Sequence, residues 1–293
     1  MFQGCCTALV TPFTSDNKVN FEEFGKIIEK QIIGGVSALL FLGTTGESPT
    51  LSEREKIDII KFAVEKIKGR VPVFVGAGCN STGKTIERIK VYEKLGVDGF
   101  LIVSPYYNKA TQKGLYLHYK NIADNSTLPI IIYNVPSRTG INIKPETIIK
   151  LSHHENIIGL KQANADMQEL MDIMQDCDKN FSVYSGEDSL TYLMLCVGAK
   201  GVISVASNLY PKYMSKLCKN FFDGNRQKSL EMQLNINPLV KALFSEVNPI
   251  PVKYAMNLEG YNVGKPRMPL TEMEKKEEVE KAMQKNYERF EKD

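Results

Sequence analysis

What most restricts the fold of this chain is a rhythm of short apolar runs alternating with longer stretches of helical spacing. Runs at 6–10, 38–42, 73–76, 99–103, 130–134, 157–161, 181–185 and 202–205 have the length and apolar continuity of strands buried on both faces. The intervals between them carry amphipathic stripes such as Ile57, Ile60, Val64 and Ile67. Their starts are marked: "NFEE" at 20–23 and "SERE" at 52–55 each place a side-chain acceptor three residues before a Glu. Three segments also resemble one another: "IIGGVSALLFLG", "EKLGVDGFLIVS" and "CVGAKGVISVAS". Each reads as a helix end, a glycine turn and a buried strand. Repeated strand–helix units build a parallel sheet, and right-handed crossovers leave few topologies open to it. Eight units by about residue 210 fit a closed barrel better than an open sheet. The expectation is therefore an α/β protein: a (β/α)8 TIM barrel over residues 1–224, then a C-terminal helical region over 225–293. The latter ends in the charged "TEMEKKEEVEKAMQKNYERFEKD", read as a helix with a solvated face.

Composition narrows the function. Hydrophobic residues make up 43% and charged residues 24%, as in a soluble globular protein. A net charge of +3, with Lys and Glu interspersed, gives no electrostatic footprint for nucleic acid or an anionic membrane. The apolar run at 36–42 falls well short of the ~20 residues needed to span a bilayer. The opening "MFQGCCTALVTPF" lacks a basic region and a long apolar stretch, so no secretory signal is expected. Six cysteines without CxxC spacing, several inside apolar runs, suit buried free thiols and a cytoplasmic location.

In such a barrel the chemistry gathers where strands end. Those ends bring up Thr44 and Thr45, Tyr106 and Tyr107, Tyr133, Arg138, Lys161, Gly186 and Ile203. Lys161, in "IIGLKQANAD", is a hydrated cation placed where a buried strand leaves the core. It is either a chain end snorkelling into water or an amine held to attack a carbonyl. No His or carboxylate cluster has metal-ligand spacing, so no metal is expected; His153 and His154 are read as surface residues and His118 as structural. One motif competes: "GCNSTGKT" at 78–85 matches a phosphate-cradling loop, with Lys84 for the phosphates and Thr85 for magnesium. The same residues also make a glycine turn capped by Ser81 or Thr82, and no later strand ends in an Asp suited to the metal.

Taken in order, "GTTGES" at 43–48, "SPYYNK" at 104–109, "YNVPSRTG" at 133–140, "GLK" at 159–161, "SGED" at 185–188, "GVISVASN" at 201–208 and "NPIPVKYAM" at 248–256 resemble the dihydrodipicolinate synthases. These are the pyruvate-condensing members of the N-acetylneuraminate lyase superfamily. The resemblance covers essentially the whole chain. It implies a barrel with C-terminal helices, self-association as a homotetramer built as a dimer of dimers, and condensation of pyruvate with aspartate 4-semialdehyde on the way to lysine. By the same resemblance Lys161 forms the Schiff base, with no cofactor beyond that covalent imine. A neutral amine is needed for attack, and a low-dielectric barrel mouth favours it. Tyr133, Thr44 and Tyr107 match the family's proton relay, the last reaching its site from a neighbouring subunit. Thr45 would hold the pyruvate carboxylate, and Gly186 and Ile203 would offer backbone groups beside the lysine. Arg138 would clasp the carboxylate of the semialdehyde through paired hydrogen bonds.

Two departures stand out. Gln162 and Asn164 follow the lysine where the family often carries an acidic residue and a run of small ones. The effector cleft, matched by Ser48, Asn80 and Tyr106, carries Glu53, Lys56 and Lys84, and a cation at 84 should repel lysine. Regulation by lysine is therefore expected to be weak or absent. The alternative within the same chemistry is another pyruvate aldolase acting on N-acetylneuraminate or a keto-deoxy sugar acid.

Overall fold

Eight parallel strands close on themselves in chain order: β1 (Gly4–Ala8), β2 (Ala38–Phe41), β3 (Val73–Gly76), β4 (Gly99–Val103), β5 (Ile130–Asn134), β6 (Ile157–Gln162), β7 (Ser182–Ser185) and β8 (Gly201–Ser204), β8 pairing back onto β1. The structure is a computed structural model and describes residues 2–290. Helices fill the intervals, and the chain continues through helices Arg226–Leu243, Ile250–Leu258 and Lys276–Phe290.

The alternation of side chains along each strand sorts the core into two parts. Leu39, Phe41, Val73, Val75, Phe100 and Ile102 point outward and pack under the helices, where Met232, Ile236 and Leu239 of the C-terminal region join the same cluster. Cys6, Leu40, Phe74, Leu101, Ile131, Tyr133, Tyr184 and Ile203 point inward and fill the barrel. Phe2 plugs its lower end, stacked on Tyr184 at 4.2 Å and edge-on to Phe74 at 5.7 Å. The expected helix starts also form: Ser52 and Glu55 make a capping box, and Asn20 accepts from the Glu23 amide.

Seven strands lie within a residue or so of their predicted places, but β1 begins two residues before the expected 6–10 run and ends two before it. Its place is set at the seam. Gly4 (φ +112°) pairs with Gly201 (φ +156°), whose Cβ, if it had one, would lie 1.8 Å from the Gly4 carbonyl oxygen. The Leu9 amide still donates to the Leu40 carbonyl, but Val10, as buried as a strand residue, leaves the ladder, because Asn208 replaces it. Its Oδ1 accepts from the Val10 amide and its Nδ2 donates to the carbonyls of Ala8 and Val205. An apolar run alone does not reveal a side chain that takes over backbone pairing.

The C-terminal region is tied to the barrel rim by a buried ion pair. Lys253 Nζ lies 2.6 Å from Glu47 Oε1, with both side chains 1% exposed. Burial draws the Lys253 ammonium down to about 8 against the opposing pull of Glu47. Glu47 Oε2 accepts from the Arg267 amide, and the cations of Lys253 and Arg267 stand 4.0 and 4.2 Å from the centroid of the Phe13 ring.

His118 supplies a pH test of the packing. It lies buried on helix Gln112–Asp124, with Nδ1 2.9 Å from Thr82 Oγ1 and no partner for Nε2 among the described residues. Burial pulls its pKa from 6.5 to about 4. The unfolded ring therefore takes up a proton across a window in which the folded ring does not, and stability falls as pH drops from 6.5 towards 4. Urea unfolding should show roughly 3 kcal/mol of this acid loss in the wild type and its absence in His118→Gln.

Candidate active site

Parity decides which side chains can meet at the rim. On β6, Leu160 and Gln162 face the helices, so Lys161 between them faces the lumen. Across β5–β6, Tyr133 sits directly opposite Lys161, and the lysine Nζ stands 4.4 Å from the tyrosine ring centroid. Lys161 is only 6% exposed. Of the two readings open from sequence, the snorkelling one is wrong: the amine is held inside the barrel.

Above Tyr133 opens a cavity of about 760 Å³. Thr44, Tyr133, Arg138 and Asn248 line its inner part, and Ser48, Glu53, Lys56, Arg88 and Tyr106 its outer part. Arg138 reaches it from the short helix Pro136–Thr139, where Pro136 opens a turn directly after β5. Thr45 is buried beside it and accepts a hydrogen bond from Asn248 Nδ2 at 3.0 Å.

Gly186 and Ile203 stand at the ends of β7 and β8 as expected. The Gly186 amide, however, already donates to the Gln162 carbonyl at 2.8 Å, so the backbone group it can turn to a ligand is its carbonyl. Asp188 beyond it turns inward rather than to the mouth. Its Oδ2 accepts from the amides of Val205 and Ala206, clamping the β7 rim to the β8 rim, and burial pushes its carboxyl above the usual range. Glu187 remains half-buried, its carboxyl raised by burial and by Asp188 against the pull of Lys161 and Arg138.

Tyr107 is not brought to Lys161 within one chain. It is 91% exposed, lies outside the cavity lining and holds a left-handed backbone (φ +70°), an uncommon state for a bulky side chain.

The residues after the lysine form a network. Gln162 Oε1 and Asn142 Oδ1 both accept from Asn134 Nδ2, while Asn142 and Asn164 both donate to the Glu169 carboxylate at 2.7–2.9 Å. An acidic group does stand behind the lysine strand, then, but it arrives from helix Met167–Asp176. Sequence reading missed Glu169, Glu47, Lys253 and Asn248. The last three lay in quoted motifs whose spacing did not reveal which side chains would meet.

In the outer cleft Glu53 binds Lys56 at 2.8 Å and Arg88 at 2.9 Å and accepts from the Tyr92 hydroxyl. Ser48 and Tyr106 line this side, whereas Asn80 and Lys84 do not; the Asn80 carbonyl accepts from Asn108, and Lys84 is exposed.

The nucleotide-loop reading of "GCNSTGKT" fails on geometry. Ser81 caps helix Thr82–Tyr92, and the buried Thr85 hydroxyl donates to the Ser81 carbonyl at 2.9 Å and accepts from the Cys79 amide. That hydroxyl is committed within the turn and is not presented to a metal. His154 and His153 pair with Asp124 and Asp178 at the surface, 3.0 and 3.8 Å away.

Eight parallel strands closed into a barrel, with Lys161 buried beside Tyr133 where β5 and β6 end, place the chain among the (β/α)8 proteins that carry their site at the C-terminal rim. The profile of the dihydrodipicolinate synthetase family matches residues 1–286, and the chain belongs to that family. It is 48% identical over 274 residues to the 4-hydroxy-tetrahydrodipicolinate synthase of Thermotoga neapolitana, covering 92% of this chain and 93% of that one. It is 46% identical over 288 residues to the enzyme of that name from Acetivibrio thermocellus, covering 98% of each. The crystal structure of dihydrodipicolinate synthase from Thermotoga maritima superposes with a TM-score of 0.96 at 44% identity, covering 98% of this chain and 99% of that one.

Magnesium ATP at millimolar concentration should move the thermal midpoint by less than about 1 °C in the wild type and in Lys84→Ala alike, measured by scanning fluorimetry.

Proposed function

We propose that this protein condenses pyruvate with L-aspartate 4-semialdehyde to 4-hydroxy-tetrahydrodipicolinate through an imine on Lys161. The single observation that carries this reading is the buried lysine amine 4.4 Å from the ring of Tyr133, which itself lines the rim cavity. The Lys161 nitrogen adds to C2 of pyruvate, and loss of water gives the imine. The protonated imine draws electrons from the adjacent methyl, which gives up a proton and becomes the enamine carbon nucleophile. That carbon bonds to the aldehyde carbon of the second substrate. The substrate's own amine then adds to C2 and displaces Lys161, closing the ring and freeing the enzyme. Tyr133, Thr44 and Tyr107 relay the protons of these steps. Thr45 holds the pyruvate carboxylate beside the carbonyls of Gly186 and Ile203, and Arg138 at the mouth receives the carboxylate of the semialdehyde. Glu187, half-buried near Arg138, disfavours a phosphorylated substrate, which supports an unphosphorylated acidic aldehyde over phosphorylated alternatives.

Self-association belongs to the same reading. An exposed tyrosine in a strained left-handed turn fits a residue that completes the relay of a neighbouring subunit, in a cytoplasmic homotetramer of two dimers. The free state of all six thiols fits a reducing compartment. Lysine is not an effector in this reading. The Glu53 carboxylate is already taken up by Lys56 and Arg88, and the two cations leave the cluster positively charged, which disfavours a cationic effector.

Borohydride reduction with pyruvate should leave a stable adduct on the peptide containing Lys161, seen by mass spectrometry, and Lys161→Ala should lose both adduct and turnover. An unlabelled Lys161 in active enzyme would sink the proposal. Aspartate semialdehyde should be consumed far faster than sugar acids, and Arg138→Met should cut kcat/KM for the semialdehyde by about a hundredfold, the loss of a charge-assisted pair. In the same steady-state assay, millimolar L-lysine should change the rate less than about twofold.

A further inference from the structure

Asn248 stands where the C-terminal region returns to the rim, in the turn before helix Ile250–Leu258, and nothing in the chemistry above uses it. Its side chain is 95% out of solvent, since Asn248 is 5% exposed, yet it lines the rim cavity. It touches two substrate-binding residues with two different groups. The side-chain Nδ2 donates to Thr45 Oγ1 at 3.0 Å, and the main-chain carbonyl accepts from Arg138 Nη2 at 3.3 Å. Its Oδ1 has no partner among the described residues, so Thr45 is the whole of this side chain's hydrogen bonding. A buried amide held by one hydroxyl is costly to leave unpaired, so the two residues fix each other.

The backbone on both sides of this contact is pinned. Five residues on, Lys253 is locked to Glu47, which itself lies two residues after Thr45. The Thr44–Glu47 loop and the Asn248–Lys253 turn thus meet at two points, one a hydrogen bond and one an ion pair. Arg138 enters from the other side of the cavity and finds the Asn248 carbonyl.

We infer that Asn248 is a positioning residue that couples the two carboxylate subsites: its amide sets the Thr45 hydroxyl for the first substrate, and that same bond fixes the carbonyl that aims Arg138 at the second. The inference rests on the roles given to Thr45 and Arg138 above. It also predicts an effect that a residue serving Thr45 alone would not have. A covalent imine formed before the aldehyde arrives makes kcat/KM for each substrate report a separate half-reaction. A group acting only on the pyruvate side lowers one of them; a coupling group lowers both.

The experiment is steady-state kinetics on Asn248→Ala, with Asn257→Ala as the control. Asn257 lies on the helix that follows Asn248, binds the Gly264 carbonyl and the Val263 amide, and is not part of the cavity lining. Asn248→Ala should lower kcat/KM for pyruvate and for the semialdehyde by about tenfold each, the worth of one buried hydrogen bond. Asn257→Ala should lower the thermal midpoint and leave both within about twofold. If Asn248→Ala does not fold, Thr45→Val tests the same coupling from the other end, and kcat/KM for the semialdehyde should fall although Thr45 does not contact it. The inference is overturned if the wild type turns over and forms its borohydride adduct while Asn248→Ala keeps both values within twofold, or if either variant affects pyruvate alone. A wild type without the adduct would instead overturn the reading of the site.

Discussion

The position of Tyr133 opposite Lys161 across two adjacent strands is the relation on which the site depends. A parallel ladder has a period of two, so a slip of one residue in β6 would turn the amine out towards the helices and bring Gln162 into the lumen. Closure of the barrel removes that freedom, because β6 must satisfy β5 on one edge and β7 on the other. Gly159 contributes at the lower end of β6, where a Cβ would come within 2.4 Å of the Ser182 carbonyl. The chemistry at the rim thus inherits its precision from the backbone, not from contacts made by the lysine itself.

A second frame is superimposed on the first. The barrel supplies Lys161, Tyr133 and Arg138, while the C-terminal helices reach back to the β2 loop through Asn248 and Lys253. An ion pair as deeply buried as Glu47–Lys253 is poor evidence for net stability, since both charges lose their hydration. It is good evidence for registration: an unpaired Lys253 under Phe13 would be far worse than a paired one, so only one docking of the helices is tolerated.

Much of this was legible in the sequence, for reasons that differ by residue. The strands could be read because runs buried on both faces are continuous in apolar residues, and Lys161 because a cation stands out at the end of such a run. Tyr133, Arg138 and Thr44 could be placed from motifs in order along the rim. What escaped is long-range and polar. Asn208 takes over the pairing of β1 from two hundred residues away, and Glu169 reaches Asn142 and Asn164 from the next helix. Glu47 and Lys253 stood in two separate motifs, with nothing local to pair them. Gly186, expected to offer a backbone group beside the lysine, has its amide taken by the Gln162 carbonyl of a neighbouring strand. No local pattern encodes a partner chosen by the closed topology.

The glycine seam carries a consequence for how the chain is made. Because β1 meets β8 at Gly4 and Gly201, the barrel's first strand keeps one edge unsatisfied until its eighth has been synthesised. Every partial sheet is therefore open on two sides, with rows of unpaired amides and carbonyls able to template a neighbour. Loop-closure entropy falls on this one late contact more than on any other pairing in the barrel. Crowded synthesis would expose that vulnerability before any loss of the finished fold.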